Sequence, residues 1–378
     1  MSITLADARV VTPGGVHEGW LTVEDGRITH VGRGPAPGPG HSLAGRYVVP
    51  GFVDIHCHGG AGGSFPNGDQ DEAHRIADLH ARHGTTTLMA SLVTASLDDL
   101  TRATSALADL CEDGLLAGVH FEGPYISSAR CGAHDPALLR DPSPGELAGL
   151  LAAGRGHVRM LTIAAELPGA LDTIREAAGS GVIAALGHSD ATYEQTLAGI
   201  DAGASVATHL YNAMPPLHHR KPGPIAALLG DERVTVELIN DGVHLHPAMT
   251  RLAYDVAGPA RTALITDAMA AAGMGDGSYR LGPMKVEVTG GVARLAEGGS
   301  IAGSTLTMDV AFRRAVQEAG LSMTEAAEVT ALTPARVLGL DDRLGSVSVG
   351  RQADLVVLTG DLEVAGVMRR GRWITEPR

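Results

Sequence analysis

Two histidines separated by one residue, His56 and His58, are the first side chains in this sequence whose types and spacing could do chemistry. They end a strand-like run that begins at Phe52. Because side chains alternate along a strand, both imidazoles point to one side and Cys57 points to the other. Neutral imidazoles held side by side at a strand end suit a divalent metal ion. An isolated His-x-His pair can equally be two hydrogen-bonded histidines, so the rest of the chain has to decide.

Further polar residues recur where other strand-like runs end. If these runs form one parallel barrel, their carboxyl ends share a rim, and that rim is where such barrels place an active site. Any one of these residues alone could be hydrogen-bonded for structural reasons, but six on one rim indicate a metal-dependent hydrolase. Besides the two histidines, the set comprises Glu122, His188, His209 and Asp267.

Glu122, His188 and His209 are predicted to bind the principal metal ion. One carboxylate and two imidazoles suit zinc and leave a position for water; Fe²⁺, Mn²⁺, Co²⁺ and Cd²⁺ are the alternatives. His56 and His58 are predicted to hold a second ion, with Glu122 bridging the two. The sequence leaves open whether one or two ions are bound per subunit.

The chemistry expected of such a site is amide hydrolysis. A bound metal lowers the pKa of its water from about 15.7 toward about 7 and polarises a carbonyl group. Asp267, at the end of the last predicted strand, is expected to act as general base toward that water. It would then act as general acid toward the departing nitrogen, which must be protonated to leave.

The elements that must position these residues are alternating strands and helices from about residue 52 onward. This alternation predicts an α/β fold of the (β/α)8 TIM barrel type. The eight predicted strands are Phe52 to His58, Thr85 to Ser91, Leu115 to Glu122, Val158 to Ala164, Val182 to Leu186, Ala204 to His209, Val234 to Ile239 and Thr262 to Asp267. The predicted helices include Asp71 to His83, Leu97 to Cys111, Ala170 to Ala178, Tyr193 to Ala202 and Pro247 to Ala257.

The two ends of the chain have a different pattern. Residues 3–49 and roughly the last thirty residues show short alternating strands separated by turns, with no helix. We therefore predict a small β-sandwich domain built from residues 1–50 and 346–378, beside a catalytic barrel of residues 51–345. A chain of 378 residues suits one large domain and one small one.

Composition excludes some classes of protein. A formal net charge of -14 argues against general binding to nucleic acid or to a membrane surface. Three widely spaced cysteines fit a reducing compartment better than a disulfide framework, so the cytoplasm is expected. We find no signal-peptide pattern and no run of about 18 apolar residues.

A basic segment follows the sixth predicted strand in this otherwise acidic chain. The fork of Arg220 could bind a phosphate, with amide donors from the region of Asn212 and Ala213. A solvated basic loop is the alternative. Two other segments, Asp241 to His244 and Cys131 to His134, are either surface turns or substrate contacts on the same rim.

Several motifs together carry a resemblance to a known family. The chain resembles the amidohydrolase superfamily and, within it, deacetylases that act on phosphorylated amino sugars. The resemblance covers essentially the whole chain. Its motifs are Pro50 to Gly59, Glu122-Gly123-Pro124, Gly187-His188-Ser189, Thr208 to Met214, Asp241 to His244, Thr266-Asp267-Ala268 and Gly350 to Val356.

The resemblance implies hydrolysis of N-acetyl-D-glucosamine 6-phosphate to D-glucosamine 6-phosphate and acetate, in amino-sugar catabolism and cell-wall recycling. It also implies a homodimer in which Arg220 reaches into the neighbouring subunit's site. By matching motifs, the resemblance implies that Glu122, His188 and His209 bind the principal metal ion and that Asp267 accepts and donates the proton. The substrate-binding residues it implies are Ala133, His134, Asn212, Ala213, Arg220, Asp241, Gly242, Val243, His244, Ile301, Ala302 and Gly303.

Two alternatives remain at this point. One is another amidohydrolase, a deaminase or a cyclic amidase, acting on a substrate without phosphate; whether the segment from Asn212 to Arg220 binds phosphate distinguishes the two. The other is a non-catalytic scaffold. Six polar residues at strand ends would not stabilise a non-catalytic scaffold, so they argue against this alternative.

Overall fold

A computed structural model of the chain describes residues 2–377, apart from the side chain of Pro144. The strands are β1 (Ser2–Thr12), β2 (Gly15–Glu24), β3 (Arg27–Arg33), β4 (His41–Ser42), β5 (Tyr47–Pro50), β6 (Phe52–Asp54), β7 (Gly59–Gly60), β8 (Gly63–Ser64), β9 (Thr85–Val93), β10 (Gly118–Glu122), β11 (Val158–Ile163), β12 (Ile183–Leu186), β13 (Ala204–Ala207), β14 (Thr235–Ile239), β15 (Thr262–Ile265), β16 (Gly277–Leu281), β17 (Met284–Thr289), β18 (Val292–Leu295), β19 (Leu355–Leu358), β20 (Val364–Arg369) and β21 (Arg372–Thr375).

The α-helices are α1 (Gln70–Arg82), α2 (Leu97–Glu112), α3 (Pro144–Ala153), α4 (Ala170–Gly179), α5 (Tyr193–Asp201), α6 (Gly223–Gly230), α7 (Pro247–Ala257), α8 (Met308–Gln317), α9 (Met323–Ala327) and α10 (Thr333–Val337). A π-helical turn, Glu328–Leu332, joins the last two. Short 3-10 turns cover Phe65–Asn67, Ser128–Arg130, Pro136–Leu138 and Pro259–Arg261.

The predicted TIM barrel is confirmed. Eight strands lie side by side in chain order, β6-β9-β10-β11-β12-β13-β14-β15. The neighbours from β9 to β15 pair in parallel. Helices between the strands explain why a barrel strand can be buried over its whole length: all nine residues of β9 are buried. All eight predicted strands are present, within a few residues of the predicted bounds.

The first barrel strand is shorter than predicted. It ends at Asp54, so His56 and His58 follow the strand rather than lie on it. The extended segment is held by the chain beyond β15, because the backbone N–H groups of His58 and Gly59 both donate to the carbonyl of Ala268, at 2.8 and 2.9 Å. A parallel bridge between Cys57 and Ala268 continues the pairing at this point, so the segment that carries both imidazoles is held beside the end of β15.

The predicted β-structure from both termini is also confirmed. Its strands pair in the order β21-β20-β19-β5-β1-β2-β3, with β4 added beside β1. Apolar side chains from both ends of the sequence form one core cluster, in which Leu5, Val10 and Leu21 pack with Leu355 and Met368. Since the two ends share one sheet, neither end could bury its apolar face alone.

The chain divides into two compact units. One runs through Asp54 and includes Asp78–Thr87 and the chain from Thr307 onward; the other comprises Ile55–Ala77 and Leu88–Leu306. All of the predicted site residues belong to the second unit. The domain bounds 1–50, 51–345 and 346–378 remain a prediction.

A three-stranded antiparallel sheet, β16-β17-β18, follows the last barrel strand. Our sequence analysis assigned no element there. Its apolar side chains, among them Leu281, Val286 and Leu295, pack with Met269. The backbone N–H of Ala302 donates to Ala293 at 3.1 Å, so this sheet positions the segment that the resemblance assigns to the substrate.

Within the described residues, no helix combines the length and the apolar content that a bilayer crossing needs. Cys57, Cys111 and Cys131 form no disulfide. Burial raises the pKa of Cys111 to about 12, so this side chain stays a thiol at neutral pH.

Candidate active site

The six predicted chemistry-bearing residues converge in the second unit. All are buried, with Asp267 the most exposed at 7%. Glu122, the last residue of β10, lies at the centre of the group. The atoms within 3.5 Å of its carboxylate oxygens include Nε2 of His56, His58, His188 and His209.

The predicted principal metal ligands come within reach of one ion. Oε1 of Glu122 lies 3.1 Å from Nε2 of His188 and 2.9 Å from Nε2 of His209. The two Nε2 atoms are 3.0 Å apart. His134, predicted to contact substrate, is also close, with Nε2 at 3.3 Å from Oε2 of Glu122. The candidate ligand atoms of Glu122, His188 and His209 therefore surround a single point, as a zinc site requires.

The predicted second pair is joined by the predicted acid/base residue. Nε2 of His58 lies 3.1 Å from Oδ1 of Asp267 and 3.2 Å from Nε2 of His56. One donor atom from each of these three residues lies within 4.8 Å of the others. The structure therefore places Asp267 beside the second candidate metal position as well as at the cavity.

Three of the site residues have left-handed backbone conformations. His188, His209 and Asp267 have φ values of 47°, 29° and 49°. This region is costly for residues with a Cβ atom, and it persists where the surrounding structure imposes it. All three lie two residues after the end of a barrel strand, where the chain turns at the rim.

The protonation of two imidazoles is fixed by backbone carbonyls. Nδ1 of His188 donates to the carbonyl of Arg130 at 2.8 Å, and Nδ1 of His58 donates to the carbonyl of Ser91 at 3.1 Å. Since a carbonyl only accepts, the neutral rings turn an Nε2 lone pair toward the carboxylate of Glu122. Lone pairs facing a carboxylate repel it unless a cation lies between them, so these residues fit a bound metal ion.

The electrostatics of the site favour positive charge. Burial lowers the pKa of His56, but the carboxylates of Glu122, Glu237 and Asp267 outweigh burial and raise it well above 6.5. Burial would also lower the pKa of His58, but its hydrogen bonds to Asp267 and Glu122 raise this pKa to about 9. Burial alone would raise the pKa of Glu122, yet the neighbouring histidines hold it well below 4.5. Protons and a metal ion compete for the same donor atoms here.

Sequence analysis missed two buried residues that support the site. Glu237 on β14 accepts hydrogen bonds from Nδ1 of His56 and from the backbone N–H of His209. His120, two residues before Glu122, contacts Ser91 Oγ at 2.9 Å through Nδ1. Burial lowers the pKa of His120 well below 6.5 and keeps it neutral. The sequence signal was weak, because each is a single polar residue between two apolar neighbours.

A cavity of about 300 Å³ opens above the ligands. Its volume falls in the range of small-molecule sites. Of the predicted substrate residues, those that line it are Ala133, His134, Asn212, Ala213, His244, Ile301 and Gly303.

The remaining predicted substrate residues lie outside the cavity lining. Arg220 is exposed, and its guanidinium contacts Nε2 of His219 at 2.6 Å. Asp241 holds His244 in place through a 2.7 Å contact between Oδ2 and Nδ1. Burial would lower the pKa of His244, but the hydrogen bond to Asp241 raises it above 6.5. Gly242 and Val243 form the exposed turn between them, and Ala302 is buried.

Comparisons with known proteins identify the family of this chain. Residues 47–374 match the Amidohydrolase family. The N-acetylgalactosamine-6-phosphate deacetylase of Escherichia coli O157:H7 is 40% identical over 364 residues, 94% of this chain and 96% of that protein. The N-acetylglucosamine-6-phosphate deacetylase of Bacillus subtilis (strain 168) is 35% identical over 98% of this chain and 96% of its own length.

Solved structures of similar proteins extend the comparison. A variant of N-acetyl-D-glucosamine-6-phosphate deacetylase from Mycobacterium smegmatis, in complex with N-acetyl-D-glucosamine-6-phosphate, is 50% identical to this chain. The match covers 99% of this chain and 100% of that one, with a TM-score of 0.97. An enamidase structure at 15% identity and a TM-score of 0.64 shares the fold alone.

Proposed function

The chain belongs to the amidohydrolase family, and we propose that it hydrolyses N-acetyl-D-glucosamine 6-phosphate to D-glucosamine 6-phosphate and acetate. One observation carries the proposal: Glu122, His188 and His209 surround a single point beneath a cavity that fits one small ligand. Deacetylases of this kind recur among the relatives, which favours this reaction over that of a deaminase or cyclic amidase. The product would enter amino-sugar catabolism and cell-wall recycling.

We propose Glu122, His188 and His209 as the ligands of the principal divalent ion, with zinc as the expected metal. His56 and His58 would hold a second ion, and Glu122 reaches both positions because its two oxygens face different histidines. When bound, the metal makes a water molecule nucleophilic at neutral pH and polarises the amide carbonyl.

Asp267 is the proposed proton carrier. Burial would raise its pKa, but His56 and His58 lower it below 3.8, so the carboxylate is ionised at neutral pH. An ionised carboxylate at the cavity can take a proton from the attacking water. It can then return that proton to the amine nitrogen as the carbon–nitrogen bond breaks.

The phosphate of the substrate needs a cation that the subunit's own cavity does not supply. None of the described residues that line the cavity is a lysine or an arginine. Arg220 is exposed on the segment after β13 and carries the fork that phosphate favours. We propose a homodimer in which each Arg220 serves the site of the partner subunit.

Acetate release tests the proposed substrate. The metal-loaded protein is given N-acetylglucosamine 6-phosphate, the same sugar without phosphate, and N-acetylgalactosamine 6-phosphate, since one relative is named for that sugar. We expect the first to be hydrolysed with a kcat/KM at least about tenfold above the second, because a bidentate phosphate contact adds more than about 1.4 kcal/mol. A preference for the unphosphorylated sugar or for the galactosamine compound would overturn the assignment.

A further inference from the structure

We propose that Glu237 is a positioning residue whose buried negative charge makes the site bind a second divalent ion at His56 and His58. This inference rests on the proposed function, since it concerns the same metal site. Glu237 lies in β14, and its side chain is fully buried. It neither lines the cavity nor belongs to the predicted ligand set.

Glu237 contacts one residue from each candidate metal position. Its Oε2 atom lies 3.1 Å from Nδ1 of His56 and 3.2 Å from the backbone nitrogen of His209. Its Oε1 atom has no hydrogen-bond partner among the described residues. A fully buried carboxylate with one unsatisfied oxygen is costly unless positive charge lies near it.

His56 differs from His58 and His188 in what holds its ring. His58 and His188 donate their Nδ1 protons to neutral backbone carbonyls, whereas His56 donates to a carboxylate. A carboxylate partner fixes the same tautomer and also makes Nε2 a stronger donor toward a metal ion. Nε2 of His56 lies 3.2 Å from Nε2 of His58, so the strengthened atom faces the second position.

The charge balance of the pocket points the same way. Glu122, Asp267 and Glu237 are three buried carboxylates, and the described cavity lining holds no lysine or arginine. Asp241 and His244 pair with each other and leave no net charge. With neutral imidazoles, as metal binding requires, one divalent ion leaves one of the three negative charges uncompensated, whereas two ions leave a small positive excess facing an anionic substrate. Without Glu237, one ion would balance the remaining two carboxylates.

Glu237→Gln separates the charge from the shape. The amide oxygen of glutamine can still accept from His56 and from His209, while the negative charge is gone. Asp309→Asn is the matched control, because it makes the same chemical change in a buried carboxylate that contacts His83 in the other compact unit. Glu237→Asp retains the charge but shortens the side chain, so the two substitutions at Glu237 test charge against fit.

The experiment is a titration of metal-free protein with Zn²⁺ by calorimetry, with bound metal counted by elemental analysis. We expect wild type and Asp309→Asn to bind two ions. In Glu237→Gln the first ion should bind within about threefold of wild type, and the affinity for the second should fall about 10- to 100-fold. Glu237→Asp should retain the second ion better than Glu237→Gln does.

Three results would overturn the proposal: wild type that binds only one ion, a Gln variant that keeps the second ion at wild-type affinity, or a Gln variant that binds it more tightly than the Asp variant. If circular dichroism shows Glu237→Gln unfolded, Glu237→Asp and Glu237→Asn form a second pair that differs in charge alone. Equal second-ion affinities in that pair would also overturn it. The titration uses no sugar, so its failure leaves the acetate-release result for the proposed function standing.

Discussion

Nε2 of His209 lies 2.9 Å from Oε1 of Glu122, and the same oxygen lies 3.1 Å from Nε2 of His188. Glu122 ends β10, whereas His188 and His209 follow β12 and β13, and the three residues lie up to 87 positions apart in the chain. Closely packed donor atoms of this kind are costly in a buried site without a cation. This cluster is the basis of the reaction proposed for the chain.

Removing the central carboxylate should abolish metal-dependent activity. Glu122→Gln leaves a side chain of the same size but removes the charge that holds the ion. We expect a loss of at least about 100-fold in kcat, because the metal supplies several kcal/mol of transition-state stabilisation. Acetate release and zinc content measure the two effects. A variant that retains both zinc and kcat within threefold of wild type would contradict the role of Glu122.

Asp267→Asn should affect the chemical step more than binding. The amide cannot accept a proton at neutral pH, so kcat should fall about 10²- to 10⁴-fold while KM changes little. Steady-state acetate release over a range of sugar concentrations separates the two constants. The principal zinc ion should remain, since Glu122, His188 and His209 are intact. An unchanged kcat would remove Asp267 from the proton transfers.

Arg220→Ala should raise KM for the phosphorylated sugar about tenfold or more and leave the unphosphorylated sugar unaffected. If Arg220 serves the partner's site, mixing this variant with Asp267→Asn should restore a low-KM fraction. In the mixed dimer, the Asp267→Asn subunit supplies the arginine to an intact catalytic centre. Light scattering checks for the dimer. No recovery in a mixture proven to contain mixed dimers would place Arg220 outside the partner's site.

The pair formed by His83 and Asp309 should make stability depend on pH. The hydrogen bond to Asp309 raises the pKa of His83 above 6.5 against the effect of burial, so its contribution is complete below about pH 6.5 and is lost as pH rises through the raised value. Burial would raise the pKa of Asp309, but His83 lowers it below 3.8. That contribution is present above about pH 3.8 and is lost as pH falls through the lowered value.

The pair therefore stabilises most between about pH 4 and 6.5. The side chain of His83 is 37% exposed, so water screens the interaction, and about 1 kcal/mol is expected. Urea unfolding of wild type and Asp309→Asn at pH 5.5 and pH 8 should show a larger difference at pH 5.5. Equal differences at both pH values would exclude this pair as a source of the dependence.

The sequence was sufficient to predict those parts of the site that follow from strand ends. Apolar runs ended by Glu122, His209 or Asp267 predict both the barrel strands and the rim, because parallel strands bring their carboxyl ends together. Glu237 was not predicted, since one glutamate inside an apolar run has no local pattern. Its partner, His56, lies 181 positions away and is brought to it only by the closed barrel.

The sheet β16-β17-β18 was missed for a related reason. Its strands are only four to six residues long, and the alternation of apolar and polar residues in Met284–Thr289 was not recognised as a strand. The position of the sheet is visible only in the structure, where Leu281 and Val286 pack with Met269. Ile301 and Gly303 line the cavity because of this packing. The residues around them in the sequence do not indicate it.

The most direct measurement of the central claim is a crystal structure of the zinc-loaded protein with anomalous data collected at the zinc edge. We predict a strong anomalous peak within about 2.0–2.2 Å of Oε1 of Glu122, Nε2 of His188 and Nε2 of His209. A zinc-loaded, acetate-releasing protein with no peak at that point, or with the ion bound elsewhere, would contradict the account.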